Sequence, residues 1–205
     1  MPNTEATRLP SSIANKADFY SLLCTQLQAL LEGERSWITN LSNASALLFW
    51  AFRDSETWGQ GEGAVNWCGF YLDSRLFPPS PAGTTTSSGE EKLKSAGKTI
   101  LKLGPFQGRP ACLLIPARPG GGLCSACCLQ HQPVLVPDVH AYPGHIPCDG
   151  ETNSEVVVPL LLGNRILGVL DLDCLRIAGF EQEDVRGLER VAEIVVGGCD
   201  WPEGR

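Results

Sequence analysis

Between residues 18 and 33 the chain reads DFYSLLCTQLQALLEG. Tyr20, Leu23, Leu27, Leu30 and Leu31 recur there at helical spacing, with Asp18 near the start and Gly33 as a stop. SWITNLSNASALLFWAF predicts a second helix from about Trp37 to Phe52, rich in Ala and Leu but diluted by Asn and Ser. The apolar runs then shorten. VNWCGFYL, TILKLGPF, ACLLIP and PVLVPDV read as strands, and a short helix begins near Leu123 between the last two. VVVPLLLGNRILGVLDLD is the clearest element, two apolar runs about Gly163-Asn164 and so a β-hairpin. In FEQEDVRGLERVAEIVVG, Leu188, Val191, Ala192 and Val195 share one face of a closing amphipathic helix. The sum is an α+β domain, a central antiparallel sheet flanked by helices.

Segments without either period set the boundaries. Residues 1–16 are polar and read as a flexible N-terminal tail, and 199–205 as a C-terminal one. Residues 17–198 then form a single domain. Within it, FPPSPAGTTTSSGEEKLKSAGK (77–98) is a low-complexity insertion too poor in apolar groups to fold, expected as a flexible hairpin loop. HAYPGHIPCDGETNSE (140–155) is also irregular, but an apolar strand follows it at once, which points to a binding or active-site loop.

Composition narrows the class. The 205 residues carry a net charge of −7, which argues against a nucleic-acid partner. No apolar run approaches the roughly 20 residues that span a bilayer. MPNTEATRLPSS lacks the charged start and apolar stretch of a secretory signal, so a cytoplasmic protein is expected. In that compartment the nine cysteines, at 24, 68, 112, 124, 127, 128, 148, 174 and 199, do not read as a disulfide framework. Metal ligation, redox chemistry and burial remain; for Cys24 and Cys174 burial is the simpler reading.

Three thiols stand in unusual settings: Cys112 in GRPACLLIP, Cys124 in GGGLCSACC and Cys148 in GHIPCDG. Cys124 falls at a helix N-terminus, where the dipole favours thiolate, and His140 and His145 near Cys148 favour it there too. A reactive thiol with a second in reach suffices for sulfenic-acid chemistry resolved as a disulfide. A zinc set of Cys124, Cys127, His145 and Cys148 has familiar pairwise spacings and stands as a rival. In RILGVLDLD, alternation puts Leu167, Val169, Asp171 and Asp173 on one side and Ile166, Gly168, Leu170 and Leu172 on the other. The two carboxylates then sit roughly 7 Å apart by strand geometry. With Glu155 they form a group of like charges that calls for a cation or a raised pKa. Trp67 and Tyr71, at i and i+4 of one strand, are either a core stripe or the wall of a small pocket. The Gly-rich stretch Pro119–Gly122 is not followed by Lys-Ser/Thr, so it forms no phosphate loop.

The stretches NWCGFYL, LGPFQGRPACLLIP, GGGLCSACC, VPDVHAYPGHIPCDGETNSE and VPLLLGNRILGVLDLD together resemble the free methionine-(R)-sulfoxide reductases, built on the GAF fold. The likeness runs from about Tyr20 to Val196. It departs from the family at Pro147, where a small residue is usual, in the lengthened loop Pro119–Gly122, and at Cys127 and Cys128. The resemblance implies a GAF-like fold, Cys148 as the attacking cysteine, Cys124 as the resolving one and Cys112 as an auxiliary thiol. It implies Glu155, Asp171 and Asp173 as substrate-binding acids and Trp67 and Tyr71 as pocket aromatics. On that footing Asp173 is expected to protonate the sulfoxide oxygen while Glu155 and Asp171 hold the substrate ammonium. Cys148 would become a sulfenic acid and then a Cys124–Cys148 disulfide, reopened by thioredoxin with NADPH and thioredoxin reductase. No bound cofactor or metal is expected, and the oligomeric state stays open between monomer and homodimer. A GAF-type small-molecule sensor without catalysis and a zinc-stapled structural module are the rival readings. A sensor would ordinarily carry an output domain, which does not fit within 205 residues.

Overall fold

The computed structural model describes residues 9–59, 64–78, 99–144 and 149–203. Most of the 77–98 insertion, residues 1–8 of the tail, and His145 and Cys148 lie outside the described residues. Helix α1 (Lys16–Leu31) starts under Asn15, whose side chain accepts from the Asp18 amide. Helix α2 (Trp37–Arg53) is capped in the same way by Ser36. Six strands follow: β1 (Val65–Asp73), β2 (Ile100–Gly108), β3 (Leu114–Pro116), β4 (Val134–Val136), β5 (Ser154–Leu162) and β6 (Arg165–Cys174). Helix α3 (Leu123–Gln130) lies between β3 and β4, and α4 (Gln182–Gly197) follows β6. A capping box of Glu181 and Asp184 opens α4. No described helix is long and apolar enough to cross a membrane.

The strands form one sheet in the order β3-β2-β1-β6-β5-β4, every neighbouring pair antiparallel. This is the α+β architecture expected. On one face α1, α2 and α4 bury Phe19, Leu23, Leu48, Phe52, Leu188 and Val191 against Phe70, Leu72, Val158 and Leu170. On the other face α3 covers a smaller cluster of Trp67, Tyr71, Leu101, Val157 and Val169.

Strict alternation fails at one place in β6. Leu167 packs in the main core, Ile166 and Val169 against the α3 cluster, so the faces exchange around Gly168. The pairing with β5 slips between Leu160 and Leu161, a β-bulge opposite that glycine. Gly168 has φ +157°, and a Cβ on it would lie 2.2 Å from the Tyr71 carbonyl oxygen. Only glycine fits. The bulge leaves Asp171 and Asp173 on the α3 side with Val169, as expected, but moves Leu167 away from them.

The ACLLIP strand is shorter than expected: Cys112 precedes β3 in irregular chain. The described parts of the two stretches read as tails are also anchored. Leu9 is buried in the main core, and Ser11 exchanges hydrogen bonds with Glu56. Cys199 is buried, Arg35 grips Asp200 with two nitrogens, and Trp201 stacks on Trp37 at 6.3 Å. Both stretches look polar in sequence because two apolar anchors each, Leu9 and Ile13 in one and Cys199 and Trp201 in the other, are too sparse to show a period.

Candidate active site

Register, more than proximity in sequence, assembles the acids. Glu155 on β5 pairs directly with Asp173 on β6, and Asp173 in turn with Trp67 on β1. One row along, Val157 pairs with Asp171 and Asp171 with Gly69. Glu155 and Asp173 thus stand side by side on the α3 face, with Asp171 diagonal to Glu155. The indole of Trp67 lies over Gly69, stacks on Phe106 at 5.5 Å and on Tyr71 at 5.8 Å. Its N–H donates to the Arg109 carbonyl at 3.1 Å, which ties down the connection that carries Cys112.

Above the acids lies a cavity of about 110 Å³, walled by Cys112, Leu114, Pro116, Gly122, Cys124, Asp149, Thr152, Glu155, Asp171 and Asp173 among others. The glycine loop before α3 is folded onto Ser125, whose hydroxyl donates to the Arg118 carbonyl at 2.7 Å and accepts from its amide at 2.8 Å. That turn delivers Cys124 to the cavity, where its thiol donates to Asp171 Oδ2 at 3.3 Å. Asn66 Nδ2 donates to Asp149 at 3.2 Å and to Thr152 Oγ1 at 3.0 Å. With its oxygen accepting from Asn66, the Thr152 hydroxyl directs its own proton to Asp173, to which it is hydrogen-bonded.

Enclosure governs the ionisation of these groups. Burial pushes the carboxyls of Glu155, Asp171 and Asp173 well above the usual range, and the acids reinforce one another. Asp173 acts on Glu155, Glu155 on Asp171, and Asp171 with Asp149 on Asp173, while the Thr152 bond opposes the rise at Asp173. Cys124 corrects an expectation. At the first turn of α3 its thiolate was to be favoured, yet burial first, then Asp171 and Glu155, hold it firmly as the thiol. Desolvation beside two acids outweighs a helix dipole contributing about 0.3–1 kcal/mol.

Five expected site residues therefore meet on one cavity: Cys112, Cys124, Glu155, Asp171 and Asp173. Trp67 and Tyr71 form the buried layer beneath and do not line the cavity among the described residues. Cys148 lies outside the described residues, although its neighbour in sequence, Asp149, is on the cavity wall. His140 is exposed and bonds Asn153 Oδ1 at 2.8 Å, away from that wall. Within the zinc set, the described cysteines part company: Cys124 faces the cavity, whereas Cys127 turns to the sheet and donates to the Val157 carbonyl at 3.7 Å. Sequence reasoning missed Asn66, Asp149 and Thr152. Asp149 had a signal, its place beside Cys148; Asn66 and Thr152 had none, since only the fold brings β1 to that loop.

A GAF domain family model matches residues 88–196. The free methionine-R-sulfoxide reductase of Saccharomyces cerevisiae is 37% identical over 190 residues, covering 92% of this chain and 90% of the relative. The chain belongs to the free methionine-R-sulfoxide reductase family. That of Escherichia coli is 36% identical, with 86% of each chain covered. The crystal structure of the Neisseria meningitidis reductase with its substrate superposes with a TM-score of 0.72 at 32% identity, covering 94% of this chain and 95% of the other. On this family's GAF sheet the chain sets three buried acids and two cysteines, Cys112 and Cys124, around one small cavity.

Proposed function

We propose that this protein reduces free methionine-(R)-sulfoxide to methionine in the cytoplasm, with Cys148 as nucleophile. The observation that carries the reading is the buried group of Glu155, Asp171 and Asp173 on one cavity beside the Cys124 thiol. Three enclosed acids suit an ammonium group, which a free amino acid has and a methionine within a chain lacks. The yeast and Escherichia coli relatives, both named free methionine-R-sulfoxide reductases, support the same substrate.

In this mechanism the Cys148 thiolate attacks the sulfoxide sulfur while Asp173 gives a proton to its oxygen. The S–O bond breaks as the protonated oxygen passes to the Cys148 sulfur, the transient S–S bond to the substrate breaks, methionine leaves with its sulfur reduced by two electrons, and Cys148 is left as the sulfenic acid. Attack by Cys124 on that sulfur expels water and closes the disulfide. A dithiol of the thioredoxin type, recharged by NADPH through thioredoxin reductase, reopens it. Glu155 and Asp171 hold the ammonium. Cys112, half-exposed on the same wall, is the auxiliary thiol.

The test is NADPH consumption with thioredoxin and its reductase on separate R and S epimers, for the wild type and Cys148→Ser. Turnover of the R epimer alone, lost in the variant, is expected. Folded, reduced protein that turns over neither epimer overturns the reading and leaves a ligand-binding GAF module.

A further inference from the structure

The same cavity holds donors for more than an ammonium. We propose that the reduced protein reversibly binds one borderline divalent cation of the zinc class on Cys124 Sγ and one carboxylate oxygen each of Glu155 and Asp171. Ligand atoms of these three residues all lie within 4.8 Å of one another. All three side chains are buried, Cys124 and Asp171 at 6% exposure and Glu155 at 7%. Zinc at about 2.3 Å from sulfur and about 2.0–2.2 Å from oxygen sets a tetrahedral S–O edge of about 3.5 Å. Cys124 Sγ and Asp171 Oδ2 already stand at 3.3 Å.

A separate observation points to a ligand. Asp171 Oδ1 is buried, and no N–H or hydroxyl donor reaches it among the described residues; the Asp171 carboxyl bonds the neighbouring Glu155 carboxyl only while one of the two acids keeps a proton. A buried acceptor left without a donor costs about 1–3 kcal/mol, and a cation seated between the carboxylates removes that cost. The donor set also selects the metal. One sulfur with two carboxylate oxygens suits Zn²⁺ or Cd²⁺, and the sulfur is wasted on Mg²⁺ or Ca²⁺. Three protein donors leave a fourth position open toward the cavity, the pattern of an exchangeable site rather than a closed structural one. The bound cation occupies the carboxylates assigned to the substrate ammonium and ties up Cys124. Metal and substrate therefore exclude each other, a consequence that rests on the reductase reading, whereas the binding itself does not.

Chelator-treated, reduced protein is titrated with Cd²⁺ in the absence of substrate, following the ultraviolet thiolate-to-cadmium charge-transfer band. One equivalent is expected to saturate the band, with Zn²⁺ displacing Cd²⁺ and Mg²⁺ leaving it in place. Asp171→Asn is expected to weaken binding by about tenfold or more, and Cys124→Ser to abolish the band. Iodoacetamide labelling of the wild type, mapped by peptide mass, needs no variant: bound Cd²⁺ slows Cys124 and leaves Cys112 at its metal-free rate. A band that survives in folded Cys124→Ser, an unchanged affinity in Asp171→Asn, or protection that falls on Cys112 overturns the proposal. Turnover plays no part in these readouts, so inactivity toward methionine sulfoxide leaves the metal site standing, and failure to bind Cd²⁺ leaves the reductase standing.

Discussion

Lys16 carries its ammonium into the main core at 5% exposure and meets Asp184 Oδ1 at 2.6 Å. The same oxygen accepts from the Tyr20 hydroxyl at 2.8 Å, and the ammonium lies 4.5 Å from the Trp58 ring centre. Lys16→Met strands a buried carboxylate that keeps Tyr20 and the Glu181 amide as donors. The expected loss is about 3 kcal/mol in urea unfolding, the low end for a broken buried pair. A loss below about 1 kcal/mol would show Asp184 satisfied without its cation. On the functional side, Glu155→Gln keeps shape and removes one charge from the assigned ammonium site. Losing a charge-assisted hydrogen bond of about 1.5–3 kcal/mol raises KM for methionine sulfoxide by roughly 10- to 150-fold, with kcat changing far less. Equal losses in kcat and kcat/KM would move Glu155 from binding to the chemical step.

Between elements, α1 and α4 approach closely at one glycine. Gly187 sits inside α4, where helix propensity alone favours alanine by about 1 kcal/mol. Yet a Cβ at that position would lie 2.2 Å from the Tyr20 ring. The ring is enclosed by Phe19 and Phe52, so it has little room to retreat. Overpacking of this kind costs about 1–3 kcal/mol and outweighs the propensity gain. Gly187→Ala is therefore expected to lower the thermal midpoint. A raised midpoint would mean that the helices separate freely. The same logic of close approach operates at Gly168, where the missing side chain lets β6 pack against the Tyr71 carbonyl of β1 and the bulge against β5 keeps two acids on the site face.

For the molecule as a whole, the cysteines decide behaviour in alkali. Away from the cavity, burial pushes up the thiols of Cys24, Cys68, Cys127, Cys128, Cys174 and Cys199. Cys128 rises to about 11, burial first and Asp73 adding, with Arg75 opposing. Because the folded values exceed the unfolded one, near 8.5, the stabilisation is full below that pH and is lost as pH climbs toward the folded values. Urea midpoints in reducing buffer should therefore fall steeply above about pH 9, as the unfolded chain sheds protons that the folded one keeps. Cys128→Ala should flatten the slope by about one proton up to about pH 11. A slope identical to the wild type would mean that Cys128 ionises alike in both states.

Taken alone, the chain determined the elements whose physics is local. The closing helix, the Gly163-Asn164 hairpin and the start of α3 near Leu123 follow from periods of 3.6 and 2 and from turn chemistry, which act over a few residues. The motif stretches likewise identified Cys112, Cys124, Glu155, Asp171 and Asp173 as one group, and the cavity assembles them. Only the tertiary structure decided what each group experiences. Cys124 stands at a helix N-terminus in sequence, but its proton is held by desolvation and by acids 31 and 47 positions away, Glu155 and Asp171. Trp67 and Tyr71 share a face as their spacing requires, yet lie beneath the cavity rather than on its wall, because α3 settles over them. Ionisation, burial and the Asn66–Thr152–Asp173 chain depend on which strands pair and in what register, and that is fixed by the cooperative packing of both sheet faces rather than by any local run of residues.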